Sequence, residues 1–258
     1  MAEAAARADW DPAQYGRFAT ERARPGLDLL ARLADETPSQ VVDLGCGPGN
    51  LTARLQRQWP RAHVLGVDNS PQMLAAARRD HLGLAWQRAD IADWRPDRPP
   101  DLIFANASLH WLPDHAALLP RLLGSLAAAG VLAVQMPRSH DLPSHVAMRQ
   151  AAADFPATAE MASRADPVAT PQAYYDLLAP HAAALDIWEV DYLHALQGDD
   201  AVVEWTKGTG LRPLLKALGD EAEAFLARYQ ALIAAAYPRR PDGVTLYPFR
   251  RLFIVARR

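Results

Sequence analysis

One short run constrains this chain more than any other. Val41-Val42-Asp43-Leu44 is an apolar stretch that breaks into Gly45-Cys46-Gly47-Pro48-Gly49 and resumes at Asn50 with a helical pattern. A strand that turns through glycines into a helix brings bare backbone and free helix amides to one point. That is the ligand side of an open α/β sheet. The spacing is Gly-x-Gly-x-Gly, not the Gly-x-Gly-x-x-Gly of dinucleotide sites, and no Gly-x-x-x-x-Gly-Lys-Ser/Thr phosphate loop occurs. Asp43, directly before the turn, would repel a pyrophosphate and suits a cationic amine.

The remaining pattern fits such a sheet. Strands are expected at Val41–Leu44, His63–Val67, Leu84–Gln87, Leu102–Ala105 and Val131–Gln135. Between them, helices are expected over 50–58 with Asn50 as N-cap, from Ser70-Pro71 to about residue 79, and over 114–128. Upstream, Leu27, Leu30 and Leu33 mark a helix over 26–34. Alternation of this kind predicts a parallel sheet with helices on both faces and right-handed crossovers. After residue 136 the rhythm changes to a helical excursion over 138–182, a strand at Leu185–Leu196 and helices over 199–236, interrupted at Gly208-Thr209-Gly210 and Pro213. A strand at Leu252–Ala256 closes the chain. The expectation is one α/β domain over 1–258, with a doubly wound, mostly parallel seven-stranded sheet. A helical cap from 138–182 and 197–249 is inserted among the late strands.

Composition excludes several classes. The net charge of −3 argues against a nucleic-acid partner, for which phosphate neutralisation would be the main task. Cys46 is the single cysteine, so no internal disulfide forms and a reducing, cytoplasmic setting is expected. No apolar run approaches the ~18 residues of a membrane span, and the N-terminus lacks a signal-peptide core. The eight histidines show no metal-ligand spacing.

Successive strand ends carry polar groups. Strand two ends in Val67-Asp68, where an acid can accept both hydrogen bonds of a ribose diol. Strand three ends in Gln87-Arg88-Ala89-Asp90, able to accept from an exocyclic adenine amine, and strand four in Asn106. Each acid taken singly is equally at home as a cap or turn residue. Met73 reads as core or as an adenine contact, and Cys46 as a small buried residue.

The chain resembles the class I S-adenosylmethionine-dependent methyltransferases. The residues that carry the resemblance are Trp10-Asp11-Pro12 with Tyr15, Glu21 to Pro25, DLGCGPGN, GVDNSPQM, DLIFANASLHWLPDH, GVLAVQMP, TGLRP at 209–213 and the terminal PFRRLFIVARR. Within that class it is similar to enzymes that esterify a small polycarboxylic acid such as trans-aconitate. The resemblance implies that Asp43, Gly45 and Gly47 hold the methionine end of the cofactor and Asp68 the ribose. Met73 and Ile91 would flank adenine, and Asp90 would meet its amine. Cys46, Asn69 and Asn106, inside or beside these strand ends, join the expected cofactor set. Trp10 and Tyr15 join it too, from an N-terminal segment (1–25) that is either a lid or a docked helix. His110 departs from the glutamine of the family pattern and lies beside the expected acceptor pocket.

A carboxylate acceptor is ionised at neutral pH and needs no general base. Alignment and exclusion of water are then the expected tasks, with no catalytic acid or base. Arginine suits a polyanion because its fork holds a carboxylate by two bonds. The candidates are Arg22, Arg24, Arg212, Arg250 and Arg251. Strand alternation should send one of the last two inward. The expected acceptor set is Arg22, His110, Trp111, Arg212 and Arg250. Other small acceptors, and a cofactor-binding module without turnover, remain as alternatives. A monomer is expected.

Overall fold

A computed structural model describes residues 19–163 and 167–258. Within them the chain forms two compact units, one holding Thr20–Arg138, Pro167–Val190 and Arg251–Arg258, the other Ser139–Asp166 and Asp191–Arg250. The sequence predicted a single domain. Each unit has an apolar core of its own, which is why they separate.

The first unit is built on strands β1 (Gln40–Leu44), β2 (His63–Asp68), β3 (Ala85–Arg88), β4 (Leu102–Asn106) and β5 (Val131–Pro137). These are parallel, in the order β3-β2-β1-β4-β5. β7 (Val244–Arg257) pairs antiparallel with β5 through residues 251–257, and β6 (Ala184–Gln197) lies beyond it, giving seven strands. The order reverses between β1 and β4, the usual switch point for a ligand.

The two faces of this sheet differ in kind. Val42, Leu44, Ile103, Ala105, Leu132, Val134, Met136, Leu252 and Ile254 form an apolar core. Leu118, Leu119, Leu122 and Leu123 of helix α4 (His115–Gly124) and Tyr174 and Leu178 of α7 (Pro171–Leu178) pack into it. Period-two alternation places Asp43, Asn106, Gln135 and Arg251 on the opposite face. Helices α1 (Ala19–Ala31) and α2 (Asn50–Gln58) reach that face: a Cβ on Gly26 would lie 2.7 Å from Leu51 and 3.1 Å from Asn106.

Helix α1 starts earlier than the leucine spacing predicted. Its buried stripe is Arg22, Pro25, Gly26, Leu29 and Leu30, continuing to Leu33, while Leu27 is 36% exposed. An arginine and a proline open the stripe, so hydrophobicity alone could not find its start. Residues 19–25 of the anticipated lid segment are therefore helix. Asn50 is not an N-cap: Gly49 takes that position with φ 87°, and a Cβ there would meet the Trp86 ring at 2.4 Å. Helix α3 (Pro71–Asp80) opens as predicted, the Ser70 hydroxyl accepting from the Met73 amide at 3.3 Å.

The second unit contains α5 (Pro143–Ala153), α6 (Ala159–Ala162), α8 (Ala201–Lys207), α9 (Leu211–Leu218) and α10 (Ala222–Ala236). Trp205, Phe225, Tyr229, Tyr247 and Phe249 fill its core. The predicted interruption at 208–210 separates α8 from α9. Part of the anticipated cap, α7, belongs instead to the sheet unit, because Tyr174 and Leu178 pack with its core.

Candidate functional site at the strand ends

The glycine turn is fixed from several sides. Gly45, Gly47 and Gly49 have φ of 76°, 54° and 87°, a region costly for residues with a Cβ. At Gly45 a Cβ would meet Ser108 Cβ at 2.2 Å, and at Gly49 it would meet the Trp86 ring at 2.4 Å. Among the described residues a Cβ on Gly47 would meet nothing within 4 Å, which leaves that face open to a ligand. The amides of Gly45 and Cys46 donate to the Val67 carbonyl at 2.8 and 3.0 Å. Ser108 Oγ donates to the Leu44 carbonyl at 2.7 Å and so ties the loop after β4 to the loop after β1.

The three acids sit in three environments. Asp43 is buried, and its carboxylate accepts from Thr52 Oγ at 2.6 Å. Burial pushes its pKa up to about 7, against the lowering effect of the Thr52 bond and with help from the nearby Asp68 charge. Asp68 accepts from the Gly47 amide at 2.9 Å through one oxygen and from the Ser70 amide at 2.8 Å through the other. It thus holds the turn, and each oxygen keeps a lone pair for a hydroxyl. Asp90 is exposed and accepts from the Ala92 amide at 3.0 Å. Arg121 donates to the carbonyls of Ile91, Ala92 and Trp94 and pins this loop. Ile91 thereby lies 3.4 Å from where a Cβ on Gly45 would be.

Met73 is buried on α3 and Asn69 is exposed, its carbonyl accepting from Arg88 Nε at 3.4 Å. Cys46 is buried, and its thiol pKa is driven far up by burial and by the charges of Asp43 and Asp68, so it stays protonated. Asn106 ends β4, and the next residue, Ala107, has φ 50°. A non-glycine residue in that region concentrates strain at a place where function commonly needs it. His110 and Trp111 follow in a 3-10 turn with ring centroids 4.6 Å apart, Trp111 being 49% exposed. Trp10 and Tyr15 lie outside the described residues.

The arginines separate by position. Arg22 and Arg251 are buried in the sheet unit, Arg22 one helical turn before the Gly26 that abuts Asn106. Arg250 and Arg251 diverge, as alternation requires, but Arg250 takes the outer position. Its guanidinium is held by both oxygens of Asp191, at 2.9 and 3.0 Å, which argues against its expected role with the acceptor. Arg212 lies in the first turn of α9, half-buried, and Arg24 is exposed. Thr52, Trp86, Ser108 and Arg121 shape this site although sequence reasoning passed over them. Among the described residues no helix is long and apolar enough to cross a membrane, and no three His, Cys, Asp or Glu side chains are grouped to hold a metal ion.

Residues 41–130 match the profile of a methyltransferase-domain family. The trans-aconitate 2-methyltransferase of Methylobacterium nodulans is 53% identical over 255 residues, spanning 97% of this chain and 99% of that relative. The enzyme of the same name from an Azoarcus species is 52% identical over 248 residues, 96% and 98% of the two chains. Among solved structures, the YcgJ protein from Bacillus subtilis matches with a TM-score of 0.59 at 13% identity, covering 91% of this chain and 98% of its own. The plantazolicin methyltransferase BpumL, solved with SAH, gives 0.53 at 13% identity, covering 95% and 89%. These structural likenesses establish the fold.

Proposed function

From the premise that this chain belongs to the trans-aconitate 2-methyltransferase family, we infer that it transfers a methyl group from S-adenosylmethionine to a carboxylate of trans-aconitate, giving the monomethyl ester. The near full-length identity carries this reading, because it spans both units and not the glycine turn alone. S-adenosylmethionine supplies an electrophilic methyl on a sulfonium sulfur.

The site fits that cofactor. A buried acid at Asp43 suits an ammonium, since an opposite charge compensates what desolvation costs. The open face of Gly47 and the bare backbone at Gly45 leave room for the rest of the methionine end. In this reading Asp68 takes the ribose hydroxyls with its remaining lone pairs. Ile91 and Met73 flank the adenine, and Asp90 accepts from its amine. Asn106 and Cys46 complete the surround.

On the acceptor side, Arg22 and Arg251 are the two guanidiniums buried in the sheet unit. A guanidinium's planar fork can hold a carboxylate by two parallel bonds, so a polycarboxylate suits these positions. The attacking carboxylate is already ionised, so the residues orient it and exclude water without moving a proton. Acting on a small acid, the enzyme is read as a cytoplasmic monomer with no nucleic-acid partner; its one thiol, Cys46, is free. A panel of di- and tricarboxylates, scored by S-adenosylhomocysteine release, tests the acceptor. Turnover restricted to trans-aconitate and close analogues supports the assignment, and preference for a monocarboxylate or a phenol refutes it.

A further inference from the structure

β4 and β5 end side by side. Asn106 is the register partner of Gln135, and Gln135 lies opposite Phe253 of β7. Gln135 is 1% exposed, and among the described residues neither its carboxamide nitrogen nor its oxygen has a hydrogen-bond partner. The side-chain oxygen of Asn106 is buried in the same condition. Native interiors rarely leave a polar group so, and a buried amide with both ends unmatched calls for an explanation. Packing does not provide one: an apolar residue of similar shape would avoid the desolvation cost.

The position is informative. Leu132, Val134 and Met136 point into the apolar core, so Gln135 faces the other side with Asn106, Phe253 and, one same-face step along β7, Arg251. Across adjacent strands β1, β4, β5 and β7, that face presents Asp43, Asn106, Gln135 and Arg251. An acid for the cofactor's ammonium stands at one end and a guanidinium for an anion at the other. The neutral amide lies between, where the two reactants must meet.

We propose that Gln135 is a positioning residue for the reacting carboxylate, its carboxamide N–H donating to the oxygen that does not attack. The assignment rests on the functional reading above. A neutral donor suits that place, because it orients the carboxylate through one hydrogen bond without setting a full positive charge against the nucleophile. A guanidinium there would stabilise the ground state of the nucleophile as well as hold it.

Gln135→Met and Gln135→Glu test this, with the wild-type chain assayed beside them. Gln135→Met removes both unmatched amide ends, so its thermal midpoint should equal or exceed that of wild type. Its S-adenosylmethionine Kd should stay within about twofold, while kcat/KM for trans-aconitate falls by about 30-fold, the effect of losing one hydrogen bond to an ion. Gln135→Glu should lose more at neutral pH and recover part of the loss near pH 5, as the new acid takes a proton. Unchanged acceptor kinetics in Gln135→Met, or a cofactor Kd that weakens in step with the midpoint, overturns the proposal. If Gln135→Met does not fold, Gln135→Asn decides in the same way, since it keeps the amide but withdraws it by one methylene. Failure of the wild-type chain to esterify trans-aconitate would refute the functional reading itself.

Discussion

Thr52 donates a 2.6 Å hydrogen bond to Asp43, joining the first turn of α2 to the end of β1 with both side chains buried. This bond spans the glycine turn and holds the carboxylate in place before any ligand arrives. Asp43→Asn keeps an acceptor for Thr52 but removes the charge. The expected result is a folded protein whose S-adenosylmethionine affinity falls by about 10- to 100-fold, the range for a hydrogen bond to an ion. Calorimetric titration checks it.

Affinity should also depend on pH through the same group. Burial sets the Asp43 pKa at about 7 in the free protein, and a bound cation lowers it, so binding below that pH expels a proton. Affinity should rise by about tenfold per pH unit up to pH 7 and then level off. Free-protein stability has the opposite slope: the folded state binds more protons than the unfolded one between about pH 4 and 7, so stability falls as pH rises through that window. Asp43→Asn should flatten both profiles. Titrations in buffers of different ionisation enthalpy count the proton released.

Gly45 and Ser108 form a tightly coupled pair. Gly45→Ala places a Cβ where Ser108 Cβ already stands and forces alanine to φ 76°. The left-handed conformation alone costs about 1–2 kcal/mol. Gly45→Ala should lower the thermal midpoint by several degrees and abolish cofactor binding. Ser108→Gly in the same chain should restore part of the midpoint, because it relieves the clash but not the backbone strain.

Much of this architecture was legible in the sequence, and the exceptions have physical causes. β1, β4 and β5 are buried on both faces and read as largely apolar runs, each with one polar residue at or near its C-terminal end. β7 was visible only as Leu252–Ala256, although it begins at Val244, because Pro248 and the pair Arg250-Arg251 interrupt its pattern. Asp43, Asp68 and Asp90 look alike in one dimension. Only the structure separates a buried acid from one that holds the turn and one that caps an exposed loop. Gln135 reads as the fading end of an apolar strand, and nothing local signals that its amide is enclosed. The division into two compact units was not legible, because hydrophobic periodicity marks elements without assigning them to one core or two.

Arg22 and Arg251 should control the acceptor and leave the cofactor alone. Arg22→Met and Arg251→Met preserve bulk while removing the guanidinium. Each should raise KM for trans-aconitate by about 10- to 100-fold with the S-adenosylmethionine Kd nearly unchanged. Arg250→Met, which breaks the exposed pair with Asp191, should leave both constants within about twofold. Steady-state kinetics beside calorimetry separates these outcomes.

The most direct measurement is mass spectrometry of the products formed from S-adenosylmethionine and trans-aconitate by the purified protein. The predicted result is one monomethyl ester of trans-aconitate for each S-adenosylhomocysteine released, with both reduced by about 10- to 100-fold in Asp43→Asn at limiting cofactor. Cofactor binding with no ester, or an ester formed only on some other acid, would contradict the account.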